Sequence, residues 1–416
     1  MEPDSIDRVR FLPVGATADA RRLLTTRGLR AVADGLVSTV LAPYLLVLGF
    51  TGAQVGQVTT ATLLGSAAMT LGVGLRGHRF SRRHLLLAVS LLMIATGLVF
   101  SVASSFPLIV MAAFLGTMNP SSGDVSVFLP TEQALLSATV PDRERTAVFA
   151  RFSLVAFVFG AVGSIAAGYP DRLVRANVTS RETALRSVFV VYALLGVCAL
   201  TVYRRVSSSV EPNREPGAQR SALHESRAIV LRLAAVFSVD SLGGGFAVQS
   251  IVGLWLTLRY DFSVSRIGLL FFVTGVCNGL STLLAPRIAA RIGLVRTMAY
   301  THLPANVLLM AAAAMPSAGP AVVCLIGRSL LSQMDVPARQ SYVMAVVTPA
   351  ERPAAASVTN VPRSLASALP PIAGGWLLDH STFGWPLLIG GALKATYDVI
   401  LLLLFRNVHP PEERSE

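Results

Sequence analysis

Twelve times along its 416 residues the chain runs for about 20 residues with almost no charge. A helix of that length matches the hydrocarbon core of a bilayer. The segments lie near 28–50, 54–75, 84–103, 107–128, 146–168, 186–203, 229–257, 264–285, 297–315, 319–345, 355–378 and 384–405. Lipid offers the backbone no hydrogen bonds, so only helices and closed barrels cross it. Long apolar runs without strict alternation point to helices. Two longer runs need a turn inside them. "SSFP" at 104–107 divides the first, and "MPSAGP" at 315–320 divides the second. Composition agrees: only 14% of residues are charged and mean hydropathy is +0.61. A water-facing surface needs charge nearer about 25%. The expected fold is an all-α integral membrane protein with twelve spanning helices.

Arginine sets the orientation, because cytoplasmic loops carry the excess of positive charge. With both ends placed in the cytoplasm, the inner segments hold 25 Arg and the outer ones six. Four of the outer six fall in the long loop 169–186, which reads as a short surface helix. The formal net charge of +12 therefore follows from topology, and no nucleic-acid partner is expected. Residues 1–26 lack the apolar core of a signal peptide, so the chain is expected to enter the membrane through its first span, uncleaved. Cys198, Cys277 and Cys324 sit singly in apolar runs, which suggests neither a disulfide framework nor a zinc site.

A polar stretch rich in Pro, Ser and Gly, 204–227, divides the spans six and six. The expected organisation is a cytoplasmic tail (1–27), a six-helix bundle (28–203), the linker, a second bundle (228–405) and a second tail (406–416). The halves look related. Residues 127–153 match 334–360 at an offset of 207, with identities at Pro130/Pro337, Gln133/Gln340, Glu144/Glu351 and Arg145/Arg352 among others.

The loop after the second span, "GLRGHRFSRR" at 74–83, resembles the loop signature of the major facilitator superfamily at Gly74, Arg79, Arg82 and Arg83. His78 stands where that family has Asp. After the eighth span "PRIAARIGLVR" matches again at Arg291 and Gly293, with Ala290 in the Asp position. Arg79 and Arg291 are 212 residues apart, close to the other offset. The resemblance implies two pseudo-symmetric six-helix bundles around a central cavity, alternating access by rocking, and cytoplasmic gate loops carrying these six residues. His78 and Ala290 cannot supply the acidic lock that the family builds there. Span 5 reads "GSIAAG" where drug/proton antiporters carry a Gly/Pro pattern, and "PPIAGG" stands at the offset position in span 11. The stretch "NPSSGDVSVFLPTEQALL" also resembles a subgroup of bacterial permeases.

Candidate site residues are the charges inside spans, since a charge near mid-membrane costs about 2.5–3.5 kcal/mol on insertion scales. Gly116–Leu136 breaks an apolar segment with Pro120, Gly123 and Pro130 and places Asp124 and Glu132 beside the breaks. Irregular backbone at membrane depth belongs where protein or a wet cavity satisfies it. Glu132 either faces that cavity or lies just beyond the span. In span 1, Arg30 and Asp34 share a face, and Asp240 in span 7 lies 206 residues after Asp34. Either aspartate is suited to carrying a proton or touching substrate; a salt bridge from Asp34 to Arg30 is the structural alternative. In span 10, Arg328, Asp335 and Arg339 form one stripe, either an anion-binding surface or a self-neutralised pair. Lys394 and Asp398 read as a four-residue pair in span 12, and His302 and Asn306 as packing polars.

No metal constellation and no phosphate-binding glycine loop with lysine is present, so neither a metal nor ATP is expected. The expected function is secondary transport of a small organic solute, coupled to the proton gradient without a cofactor. Efflux by a monomer in a bacterial inner membrane is the leading form, and nutrient symport the rival. A sensor or a membrane enzyme is the alternative of another class; the six scattered histidines and the lack of a long soluble segment argue against both. The arginine tally makes a direct prediction. In a background lacking the three native cysteines, single cysteines at Asp4 and Ser415 should resist impermeant maleimide in intact cells and react once the membrane is opened. Labelling of either from outside reverses the orientation.

Overall fold

The computed structural model describes residues 17–76, 80–121, 128–136, 139, 145–207, 224–348 and 351–405. Within them the chain is helical and forms no strand. The first half contains α1 (Ala18–Val47), α2 (Gly52–Arg76), α3 (Arg82–Val102), α4 (Phe106–Leu115), α5 (Phe128–Leu136), α6 (Arg145–Ala166), α7 (Tyr169–Arg175) and α8 (Arg181–Tyr203). The second contains α9 (Arg227–Phe246), α10 (Gln249–Tyr260), α11 (Val264–Ile292), α12 (Leu294–Ala314), α13 (Ala318–Leu331), α14 (Asp335–Ala345), α15 (Arg352–Ala368), α16 (Pro370–His380) and α17 (Trp385–Phe405). The twelve expected spans are all there. Spans 4, 7, 10 and 11 are each built from two pieces: α4 with α5, α9 with α10, α13 with α14, and α15 with α16. The surface helix expected in the long loop is α7.

Local chemistry places the boundaries. Ser81, Ser180 and Ser263 cap α3, α8 and α11 by accepting the N–H three residues on. Span 11 divides at Pro370 and Pro371, which have no N–H to donate. Span 4 leaves the helix at Gly116, and among the described residues it is helical again over Phe128–Leu136. Pro130 makes no break among the described residues, where α5 runs through it from Phe128 to Leu136.

The two bundles repeat the same packing. Span 1 packs on spans 5 and 6, span 3 on span 6, and span 2 on span 4; span 7 packs on spans 11 and 12, span 9 on span 12, and span 8 on span 10. Spans 1 and 5 approach so closely that a Cβ on Gly35 would overlap the Gly160 carbonyl, and one on Gly163 the backbone of Val32. Between the halves, span 2 lies on span 11, span 5 on span 8, and span 1 on span 7. Outward, large apolar side chains stand bare: Val102 at 74% exposure, Val323 at 69% and Leu403 at 67%. Apolar exposure of this kind fits a lipid-facing surface.

The linker emerges from a braced end on each side. Ser207 N donates to Asp19 Oδ1 at 3.2 Å, and Arg83 Nη2 donates to the Arg204 carbonyl at 2.6 Å. On the far side Glu351 accepts from the backbone N–H of His224 (2.6 Å), Glu225 (3.1 Å) and Ser226 (2.9 Å) at the start of α9. These donors, His224 first and Ser226 next, hold the Glu351 carboxyl down to about 2, against an ordinary 4.5. A depressed carboxyl supports the fold above its unfolded value and loses that support as pH falls toward its folded value. Amide exchange at His224–Ser226 should therefore be slow at pH 5 and above, and speed up beyond the intrinsic acid trend between about 4.5 and about 2. Glu351→Gln should show the fast exchange at every pH. Equal protection in the two proteins removes Glu351 from the junction.

Candidate functional site

Lipid-depth charges have to be paired, because desolvation costs several kcal/mol per ion. In the first half the pairing centres on Glu132, which is 0% exposed. Helical spacing puts Phe128 and Glu132 on one face of α5. Arg30, from α1, uses both: its guanidinium lies 4.0 Å above the Phe128 ring centroid and donates to Glu132 Oε2. Tyr203 at the end of α8 donates its hydroxyl to Glu132 Oε1, and Thr26 donates to the same oxygen at 3.2 Å. Phe128 and Tyr203 stack at 6.3 Å. Glu132 is thus enclosed by protein. The cation that neutralises it, Arg30, comes from span 1, and Asp34 lies within electrostatic reach of the same guanidinium. Asp34 itself is partly exposed on α1.

The second half builds a larger network around Asp240. Lys394 Nζ donates to Asp240 Oδ1 at 2.6 Å, and Arg339 Nη1 donates to Asp240 Oδ2 at 3.2 Å and to Asp335 Oδ2 at 3.0 Å. His302 places Nδ1 2.9 Å from Asp398 Oδ1 and Nε2 3.8 Å from Asp240 Oδ1, so its ring bridges two carboxylates. Asn306 donates to Asp398 Oδ2 at 2.9 Å. The pairing read within span 12 is therefore replaced. Lys394 reaches across to span 7, and Asp398 turns to span 9. The residues read as packing polars, His302 and Asn306, belong to the network. Arg328 and Arg363 adjoin Asp240 and Asp335 electrostatically, yet neither has a carboxylate within ion-pair distance among the described residues. Arg363 instead donates to Ser241 Oγ and Asn360 Oδ1, each at 3.2 Å.

The two centres are related with their charges exchanged. At the offset of 207, Glu132 corresponds to Arg339, Arg30 to Phe237, and Phe128 to Asp335. Arg30 of span 1 stacks on an aromatic ring of span 4. Arg339 of span 10 lies 5.6 Å from the Phe237 ring of span 7. In each half one arginine ties the first span of the bundle to its fourth, but from opposite ends of the pair.

The described edge of the broken segment of span 4, Asn119–Ser121, is met by protein. Pro120 O accepts from Ser250 N at 3.2 Å, at the matching break in span 7. Asn119 Oδ1 accepts from Ser121 N (3.1 Å) and Ser121 Oγ (2.8 Å). Asp124 and Gly123 lie outside the described residues. Of the loop-signature positions, Gly74 sits near the end of α2, while His78 and Arg79 lie outside the described residues. Arg82 and Arg83 open α3. Arg291 is exposed in the last turn of α11. Gly293 joins α11 to α12 at φ 86°, a conformation that other residues adopt only with strain. A cavity of about 380 Å3 lies between α1 and α6, lined by Arg21, Thr25, Gly28, Val32, Val155 and Phe159; it runs beside the first centre and does not include Glu132.

Removing one partner of a buried pair leaves the other charge uncompensated, at a cost of about 3–5 kcal/mol. Arg30→Met and Glu132→Leu should each lower thermal stability in detergent sharply. The double variant should recover most of the loss, since the apolar pair leaves no orphaned charge. Additive losses in the double variant overturn the pairing.

Comparison with known proteins meets this geometry. The chain is 25% identical to the uncharacterized membrane protein YJR124C of Saccharomyces cerevisiae, across 94% of this chain and 95% of that one. A shorter match, 28% identical over 116 residues, covers 26% of this chain and 29% of the uncharacterized MFS-type transporter YceJ of Bacillus subtilis. Among solved structures the fold matches the nucleoside transporter NupG at a TM-score of 0.70 and 14% identity, covering 94% of this chain and all of that one. It also matches a bacterial homolog of the human lysosomal transporter Spinster at 0.67 and 14%, covering 92% of this chain and 94% of that one. The sequence profile of the Major Facilitator Superfamily fits residues 23–334. With twelve spans in two related bundles, this chain belongs to the Major Facilitator Superfamily.

Proposed function

We propose that this secondary transporter couples proton movement to the export of a small organic solute, working by alternating access in a bacterial inner membrane. In this reading both termini are cytoplasmic, the working unit is a monomer, and no cofactor, nucleic acid or enzymatic step takes part. The observation that carries it is Asp240: one carboxylate on span 7 holds cations from spans 10 and 12 at once. A proton on Asp240 would release Arg339 and Lys394 together and loosen three spans in one event. In this reading His302, which lies between Asp240 and Asp398, hands that proton on. Asp34 is the corresponding acid of the first half. Asp335 and Arg339 act with Asp240, whereas Arg30 and Glu132 hold the first bundle together.

Four cations (Arg328, Arg339, Arg363, Lys394) stand against three carboxylates (Asp240, Asp335, Asp398) in and beside the Asp240 network. That surplus favours a solute with an anionic group, which the guanidinium of Arg328 or Arg363 would pair. The deciding experiment is uptake and efflux in proteoliposomes under an imposed proton gradient, over a panel of anionic, neutral and cationic solutes. Asp240→Asn should abolish gradient-driven movement and keep counterflow exchange. Asp34→Asn should do the same if the first half carries the proton. A variant that still moves solute against its gradient is removed from the coupling step, and solute accumulation driven inward replaces efflux with symport.

A further inference from the structure

We infer that Asp171 and Asp379 are a matched pair of clamps that hold one end of the molecule shut, each capping the first turn of a helix in the opposite half. The inference rests on the alternating-access reading, and its test is independent of substrate.

The argument begins with the four N–H groups that a helix start leaves without partners. The segment "TGAQ" opens α2 as a capping box. Thr51 Oγ1 accepts from Gln54 N at 3.3 Å, and Gln54 Oε1 accepts from Thr51 N at 2.9 Å. Gly52 and Ala53 remain. Both donate to one carboxylate from the other half: Gly52 N to Asp379 Oδ1 at 2.5 Å and Ala53 N to Asp379 Oδ2 at 2.7 Å. At the start of α11 the scheme repeats with the halves exchanged. Ser263 Oγ accepts from Arg266 N at 3.4 Å, and Ser265 N donates to Asp171 Oδ2 at 2.7 Å. Ser265 Oγ adds a bond to the Gly168 carbonyl at 3.1 Å.

The two sites correspond in sequence. Asp171 and Asp379 are 208 residues apart, Gly168 and Gly375 are 207 apart, and Ala53 and Ser265 are 212 apart. Each aspartate follows a glycine at which the opposing helix touches backbone. A Cβ on Gly375 would overlap the Gly52 carbonyl, and one on Gly168 would lie 3.1 Å from Ser265 Cα. Span 2 thus meets span 11 as span 8 meets span 5. Both clamps lie at the end of the molecule that carries the turn between spans 1 and 2, the outer end in the proposed orientation. Beneath them Ser250 reaches Thr59 Oγ1 at 3.3 Å and the Pro120 carbonyl, closing the same end across the halves.

A carboxylate at a helix N-terminus gains from charge-assisted bonds and from the helix dipole. Both partners sit at helix ends, where water can replace the bonds once the halves part. That makes these contacts reversible, unlike Glu351, which caps α9 within its own half and travels with it.

The test reads accessibility on both sides of the membrane. Ser250→Cys, an isosteric change beneath the clamps, reports opening of the clamped end. Thr25→Cys, in the cavity between α1 and α6, reports the other end. Each is made in the full-length protein lacking native cysteines and labelled with impermeant maleimide in vesicles. Asp171→Ala and Asp379→Ala should each speed labelling at position 250 by about tenfold, as expected for one lost charge-assisted contact, and the pair by more. Labelling at position 25 should fall in step, because the two ends open in alternation. Unchanged labelling at position 250 in the double variant overturns the clamps. A rise at both positions also overturns them, since it means that the aspartates only hold the fold together.

Discussion

Lipid offers a polar group nothing to bind, and this protein is organised around that fact. Regular helix satisfies most of the backbone internally. Where the helix must stop at membrane depth, the freed groups are met by another part of the chain: the carbonyl of Pro120 in the break of span 4 is taken by Ser250 at the start of α10. The same constraint governs side chains. Glu132 has Arg30, Tyr203 and Thr26 around it, and Asp240 has Lys394 and Arg339. None of these partners is adjacent in sequence to the acid it serves, so each pairing is also a cross-link between spans.

The cross-links differ in kind between the halves. The first-half centre is compact and closed, with an aromatic stack over its arginine. The second is a branched network in which one carboxylate serves two cations and a histidine stands between two acids. A branched network has more than one way to satisfy its members. The exchange of Glu132 for Arg339 at equivalent positions keeps the span 1 to span 4 linkage and its span 7 to span 10 counterpart while changing the polarity of each wall.

Much of this was legible in the chain. Twelve apolar runs, their division six and six, the internal repeat and the surface helix in 169–186 follow from hydropathy and spacing alone. Arg30, Glu132, Asp240, Asp335 and Arg339 stood out because charge inside a span is expensive. Lys394 and Asp398 are four residues apart, and local spacing naturally suggests a local pair. Long side chains at a bundle interior reach across instead: Lys394 turns to span 7, as Arg30 does to span 4.

The sequence by itself determined the class of fold, the number of spans, the family and the identity of the charged residues, since these depend on composition and period along one chain. Only the tertiary structure decided which charges meet, that Tyr203, His302 and Asn306 join them, and that Asp171 and Asp379 reach the other half. Those facts depend on the rotation of each helix about its axis and on the packing of spans separated by up to 327 residues, as between Gly52 and Asp379. Hydropathy is nearly blind to that rotation, because a span facing lipid on one side and protein on the other is apolar on both.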